Sequence, residues 1–224
     1  MRKFSEILEV ARKRHPDLTL EGLDGTASPK RPDELAAIPD DRYLSMATRC
    51  IFQAGFNWKV IDNKWEGFEQ AFGGFDPGRW LMANDDDIAG LLSDARIVRN
   101  GQKISTVPHN ARFFTAIARE HGSVGRWIGE WPVADQIGLM AALDKGGARL
   151  GGATGQYFLR FMGKDCFILS QSVVAALARE GVIEGKATSK KALAAIQDAF
   201  NRWAGETGYP VTRLSRVLAK SIDA

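Results

Sequence analysis

The stretch Leu150-Gly151-Gly152-Ala153-Thr154-Gly155-Gln156 joins two segments of different apolar content. Before it, Ile137 to Leu143 reads as an apolar helix, and after it Tyr157, Phe158 and Phe161 open an aromatic-rich one. Glycines clustered ahead of a helix let the backbone approach a neighbour closely, and the N–H groups at the helix start suit an anion such as a phosphate. A tight helix–helix turn with no ligand would use the same residues. This segment alone leaves both readings open.

Outward from the turn, the apolar spacing is helical. Phe4, Ile7, Leu8 and Ala11 share one face of a helix near the start. The stretch from Glu21 to Asp40, with Pro29, Pro32 and Pro39, reads as a long loop. Asp76-Pro77 is an N-cap followed by proline at the first helical position, and Asp85-Asp86-Asp87 places acids at a helix start. Asn100-Gly101 is expected to close one helix and open another through Ile104, Ala111, Phe114 and Ile117. Ser170 and Ser189 are further caps. The last two helices are expected over Thr188 to Gly205 and Pro210 to Ile222. No run of alternating β-branched residues occurs, so the expectation is an all-α chain of about ten helices.

Of the 224 residues, 45% are hydrophobic and 25% charged, which supports a substantial core. The net charge of +3 suits a polyanionic partner without requiring one. Cys50 and Cys166 are too few for a disulfide framework or an iron–sulfur cluster. His15, His109 and His121 lack metal-ligand spacing, so neither metal nor cofactor is expected. No apolar run approaches the roughly 20 residues that cross a bilayer. Charges break the apolar positions of MRKFSEILEVARKRH. A cytoplasmic protein without a membrane partner is expected.

Four patterns then follow in order: A-G-F-x-W at Ala54 to Trp58, F-x-x-A-F-x-x-F-D-P at Phe68 to Pro77, L-x-x-D-x-x-I-V-R-N-x-x-K-I at Leu91 to Ile104, and N-A-R at Asn110 to Arg112. Together they resemble the 3-methyladenine DNA glycosylase I family, within the helix-hairpin-helix glycosylase superfamily. The likeness is dense from Cys50 to Phe114 and looser through Gly152 and Thr154. It implies two helical lobes with a cleft between them and a helix-hairpin-helix motif. The implied parts are residues 1–41 packing with the C-terminal lobe, a lobe over 42–164 ending in the hairpin, and a lobe over 165–224.

The resemblance further implies that double-stranded DNA is gripped by its phosphates at the hairpin, through Gly152, Thr154, Gly155 and Gln156. The damaged base is flipped out of the stack, where its glycosidic bond becomes accessible. Arg99, Lys103 and Arg112 in the matched patterns, and Lys145, Arg149 and Lys164 around the hairpin, are candidates for backbone contacts. In the base pocket the family places a stacking aromatic at Trp58 and a glutamine at Gln53, with Asn57 and Lys64 as weaker candidates.

The departures are as informative. Cys50 stands where the family has a glutamate, and a thiol has neither the charge nor the two-oxygen geometry of a carboxylate. Ser170 or Gln171 falls where most of the superfamily carries an aspartate, with Asp165 several residues earlier. Gln156 occupies the place of the lysine that forms a Schiff base in bifunctional members, which excludes lyase chemistry there. The family's zinc ligands have no counterpart, and residues 1–40 look unrelated. The expectation is a monomeric, monofunctional glycosylase of base excision repair, restricted to cationic alkylated purines and with no catalytic residue assigned. The alternative is a catalytically inactive paralogue that binds lesions or DNA structure.

Overall fold

The computed structural model describes residues 1–24 and 28–222. Among these every regular element is helical, from the three-residue 3-10 turns Gly73–Phe75 and Val133–Asp135 up to the 18-residue helix Lys190–Thr207. The chain divides into two compact units, one built from 1–30, 131–139 and 159–224, the other from 31–130 and 140–158.

In the first unit, the helices Phe4–Arg14, Gln171–Arg179, Lys190–Thr207 and Val211–Lys220 enclose one apolar core. Val211, Leu214, Val217 and Leu218 follow helical spacing and all face inward. Phe167 stacks on Phe200 at 4.4 Å, and Trp203 meets Phe4 at 5.9 Å. The linker entering this core is pinned by polar side chains. Gln136 donates to the Phe167 carbonyl at 2.8 Å and accepts from its N–H at 2.7 Å. Asp165 accepts from the Val211 and Thr212 N–H groups at 3.1 and 2.8 Å, capping that helix. Ser170 caps the Gln171–Arg179 helix.

Glu180 has a buried side chain between Arg2 at 2.6 Å and Arg179 at 2.7 Å. Burial pushes its carboxyl up, but the hydrogen bonds from the two guanidiniums outweigh this and hold it below the ordinary glutamate range. A depressed folded-state pKa contributes stability that is complete above the unfolded value of about 4.5 and is lost as pH falls through the folded one. Glu180→Gln should therefore cost on the order of 2 kcal/mol at pH 7 and flatten the acid limb of stability below about pH 4.5. Thermal melts across pH 3 to 7 read both effects.

In the second unit, the F-x-x-A-F-x-x-F-D-P pattern becomes an aromatic ladder. Phe68 on the Trp65–Ala71 helix stacks on Trp65 at 5.0 Å. Phe72 and Phe75 follow at 6.0 and 5.0 Å, and Trp80 closes the row. Asp76 caps the Pro77–Leu81 helix by accepting from Gly78 N–H at 2.9 Å. The ladder packs beside the Asp40–Gln53 helix, whose Phe52 meets Phe68 at 4.7 Å.

Three expectations need correction. The stretch read as a loop contains the short helices Leu20–Asp24 and Pro32–Ala36. The second starts with proline at its first position and packs Leu35 against the Val124–Glu130 helix, where Gly125 and Gly129 permit close approach. Asn100 opens the Gly101–Ile104 helix but closes none, since the preceding helix ends at Ser93. The helices also outnumber the expected ten, because several are four to seven residues long and carry too few turns to show a period.

Candidate functional site

The Gly-rich turn lies between the Gln136–Gly146 and Gly152–Met162 helices. Its backbone is bent by Arg149 at φ +59° and Gly152 at φ +55°. Asn110, from the N-A-R pattern, clasps the turn with a bond to the Ala148 carbonyl at 3.2 Å and one from its N–H at 2.7 Å. His109 reaches the Gly146 carbonyl at 3.1 Å. Leu150 is fully buried beneath the turn. A Cβ on Gly155 would lie 2.2 Å from the Leu150 carbonyl oxygen, so glycine there lets the helix start close on the turn.

Against this helix start lies a cavity of about 260 Å³, lined by Cys50, Gln53, Ala54, Gly55, Trp58, Ala153, Thr154 and Tyr157. All belong to the second unit. Cys50 and Gln53 come from the last turn of the Asp40–Gln53 helix. Gly55, at φ +69°, turns the chain into the Trp58–Asn63 helix. Trp58 is 40% exposed and meets Tyr157 edge-on at 5.1 Å and 87°.

The electrostatics of this wall are neutral. Burial pushes the Cys50 thiol up to about 12, so it is neither charged nor nucleophilic near neutrality. Gln53 is 4% exposed; its Nε2 donates to Asp62 Oδ1 at 2.8 Å and its Oε1 has no hydrogen-bond partner. Arg49 donates to the same Asp62 oxygen from Nε at 3.0 Å and from Nη2 at 2.7 Å.

The structure does not bring all the candidates together. Asn57 is exposed and caps the Trp58–Asn63 helix by accepting from Lys59 N–H, away from the cavity lining. Lys64 is tied to the Ala95 carbonyl at 2.9 Å. Thr154 lines the cavity, whereas Gly155 and Gln156 are buried behind it. Arg99, Lys145 and Arg149 are exposed, and Arg149 bonds Gln102 at 2.8 Å. Lys164 is buried and donates to the Trp131 carbonyl. Asp165 and Ser170 both serve as helix caps.

Lys103 is turned inward. Its ammonium donates to the Phe52 and Ala54 carbonyls at 3.0 and 2.7 Å, closing the C-terminus of the helix that carries Cys50 and Gln53. Lys103→Met is expected to lower stability by about 1–2 kcal/mol through these charged hydrogen bonds. A lysine on a phosphate would instead reduce the salt slope of DNA binding by about one. An unchanged slope beside a lower melting temperature identifies the structural role.

Sequence reasoning missed Asp62, Arg49, Tyr157 and Asn110. Arg49 and Gln53 stand four apart on one helix face, a signal that a shared partner exists. Among the described residues, no three of His, Cys, Asp and Glu are placed to hold a metal, so they do not supply the donor set of a zinc site.

The family model described as methyladenine glycosylase matches residues 39–142. DNA-3-methyladenine glycosylase 1 of Escherichia coli (strain K12) is 34% identical over 62 residues, 28% of this chain and 33% of that protein. The match thus spans about a third of the curated relative's length. A crystal structure of 3-methyladenine DNA glycosylase I aligns with TM-score 0.50 and 24% identity over 61% of this chain and 82% of that one. The Staphylococcus aureus enzyme, in a structure concerned with 3-methyladenine recognition, aligns with TM-score 0.51 and 19% identity over 67% and 91%. Residues 39–142 are thus similar to the methyladenine glycosylase family, and the chain shares the all-α fold of the solved 3-methyladenine DNA glycosylase I structures.

Proposed function

We propose that this protein is a monofunctional DNA glycosylase that hydrolyses the N-glycosidic bond of cationic, 3-methyladenine-like purines flipped out of duplex DNA. The observation that carries the reading is the half-exposed Trp58 ring on the wall of a cavity next to the Gly152 helix start. A cationic purine gains from such a π-face by stacking and by about 0.5–2 kcal/mol of cation–π attraction. The family match covers the segment carrying Cys50, Gln53 and Trp58.

The lining contains neither a carboxylate nor a lysine. A base that already carries positive charge needs no general acid: as the C1′–N bond breaks, the bonding pair neutralises the base and water adds to C1′, with its proton passing to solvent. The cavity then has only to bind, desolvate and orient the leaving base. Without a lysine there is no Schiff base, so the product is an abasic site with an intact strand. The Gly152 and Thr154 backbone and the exposed Arg99, Lys145 and Arg149 are the proposed phosphate contacts. The protein is taken to act as a monomer in the cytoplasm; among the described residues no helix is long and apolar enough to cross a membrane.

Cys50 favours a second reading, a paralogue that binds lesions without cutting, because its neutral thiol stands where the family has a carboxylate. Chromatography of bases released from methylated duplex DNA separates the two. Release of 3-methyladenine above the spontaneous rate supports the enzyme. Tight, salt-dependent binding to an abasic duplex with no release, and activity gained by Cys50→Glu, would establish the binder.

A further inference from the structure

The cavity has two walls of different origin. Trp58 and Cys50 belong to one, and Ala153, Thr154 and Tyr157, from the start of the Gly152–Met162 helix, make the other. In a flipped nucleotide the sugar stands between base and phosphate. With the base on the Trp58 wall and its phosphate at the Gly152 helix start, C1′ comes to lie against the first residues of the second wall. That wall carries two hydroxyls. Tyr157 lies roughly 4–5 Å further along the helix than Thr154, at about 1.5 Å per residue, and its ring is held edge-on to Trp58. Thr154 is therefore the one nearer the sugar.

Thr154 is half-buried. Among the described residues, the buried side-chain polar atoms without a partner are Gln53 Oε1 and Arg160 Nε. The Thr154 hydroxyl, which no described residue engages, is not one of them and so stays within reach of water. Near the place of the superfamily's aspartate, Asp165 and Ser170 are both occupied as helix caps.

We propose that the Thr154 hydroxyl is a catalytic group that holds the water attacking C1′. It accepts one O–H of that water, which turns a lone pair of the water oxygen toward the sugar. The oxygen forms its bond to C1′ as the C1′–N bond breaks and its pair stays on the cationic base; the water's proton leaves to solvent. The hydroxyl contributes position rather than basicity and ends the step unchanged. This rests on the glycosylase reading above and assigns a residue to its water.

The test is single-turnover release of 3-methyladenine from methylated duplex DNA, with the full chain in saturating excess, for the wild type, Thr154→Val and Thr154→Ser. Valine keeps the shape and removes the hydroxyl, whereas serine keeps the hydroxyl. Affinities for an abasic duplex and for free 3-methyladenine are measured beside the rates. Thr154→Val should lower the rate constant about tenfold, one hydrogen bond's worth, while Thr154→Ser stays within about threefold of the wild type. Both affinities should be unchanged. A wild-type rate in Thr154→Val, or a Thr154→Ser as slow as Thr154→Val, overturns this proposal and leaves the glycosylase reading standing. So does a rate loss matched by an equal loss of duplex or free-base affinity, which would make the hydroxyl a phosphate or base contact. No release by the folded wild type removes the glycosylase reading and this proposal with it. Should Thr154→Val not fold, Thr154→Ala removes the same hydroxyl and is judged by the same comparison with serine.

Discussion

Replacing Trp58 with alanine should lower the rate constant for 3-methyladenine release, at limiting substrate, by about 10- to 100-fold, the range expected for losing one base–aromatic stack. The same change should cost only about 1 kcal/mol of stability, the size of one edge-on aromatic contact. The asymmetry follows from exposure. A tryptophan that is 40% exposed and touches Tyr157 edge-on contributes little to the core. Its exposed part gains most when something planar lies on it. Trp80, the same side chain but buried in the aromatic ladder, predicts the opposite pattern: truncation there should destabilise the protein by about 3–5 kcal/mol. Melting curves beside release assays on Trp58→Ala distinguish a base platform from a core residue. A large loss of stability with a proportionate loss of activity would remove Trp58 from the site.

A second large effect is expected at the hairpin. Gly155 lies inside the Gly152–Met162 helix, where alanine would ordinarily stabilise by about 0.5–1 kcal/mol. Here its Cβ would lie 2.2 Å from the Leu150 backbone oxygen, and no side-chain rotation can relieve that contact. Gly155→Ala should therefore destabilise by about 2–3 kcal/mol, an overpacking cost larger than the helix-propensity gain. It should also displace the turn that Asn110 clasps, and weaken DNA binding more than free-base binding. Gly205 provides the contrast. It sits on the exposed side of the Lys190–Thr207 helix with nothing within 4 Å of an added Cβ, so Gly205→Ala should stabilise by about 0.5–1 kcal/mol. Denaturant unfolding of the two variants should give opposite signs.

Much of the fold was legible because long amphipathic helices repeat their apolar positions. Phe4, Ile7, Leu8 and Ala11 are all buried, and Asp76, Ser170 and Ser189 are caps as their positions predict. The short helices escaped because a five-residue element such as Pro32–Ala36 completes barely more than one turn. What holds it is the packing of Leu35 on a distant segment, which local pattern does not show.

The site was legible where one segment carries it. Cys50, Gln53 and Trp58 lie within nine residues and do line one cavity. Roles that depend on residues far apart in sequence were not legible. Lys103 reads as a phosphate ligand until its ammonium is seen on the Phe52 and Ala54 carbonyls, about fifty residues away. Asp62 carries no signal in the sequence, yet it accepts from Gln53 Nε2 at 2.8 Å. The family patterns thus specify the scaffold of the pocket as much as its lining. Asn110, Lys103 and the Phe68–Phe75 ladder hold in place the two helix ends that meet at the cavity.

The central claim is that this cavity, with no carboxylate in its lining, excises a cationic base. The most direct measurement is a single-turnover time course of base release from methylated duplex DNA, with the wild type and Trp58→Ala purified side by side. The expected result is 3-methyladenine release by the wild type well above the spontaneous rate, with Trp58→Ala reduced at least tenfold. Wild-type and variant curves that both coincide with the spontaneous rate, from folded protein in excess over DNA, would contradict it.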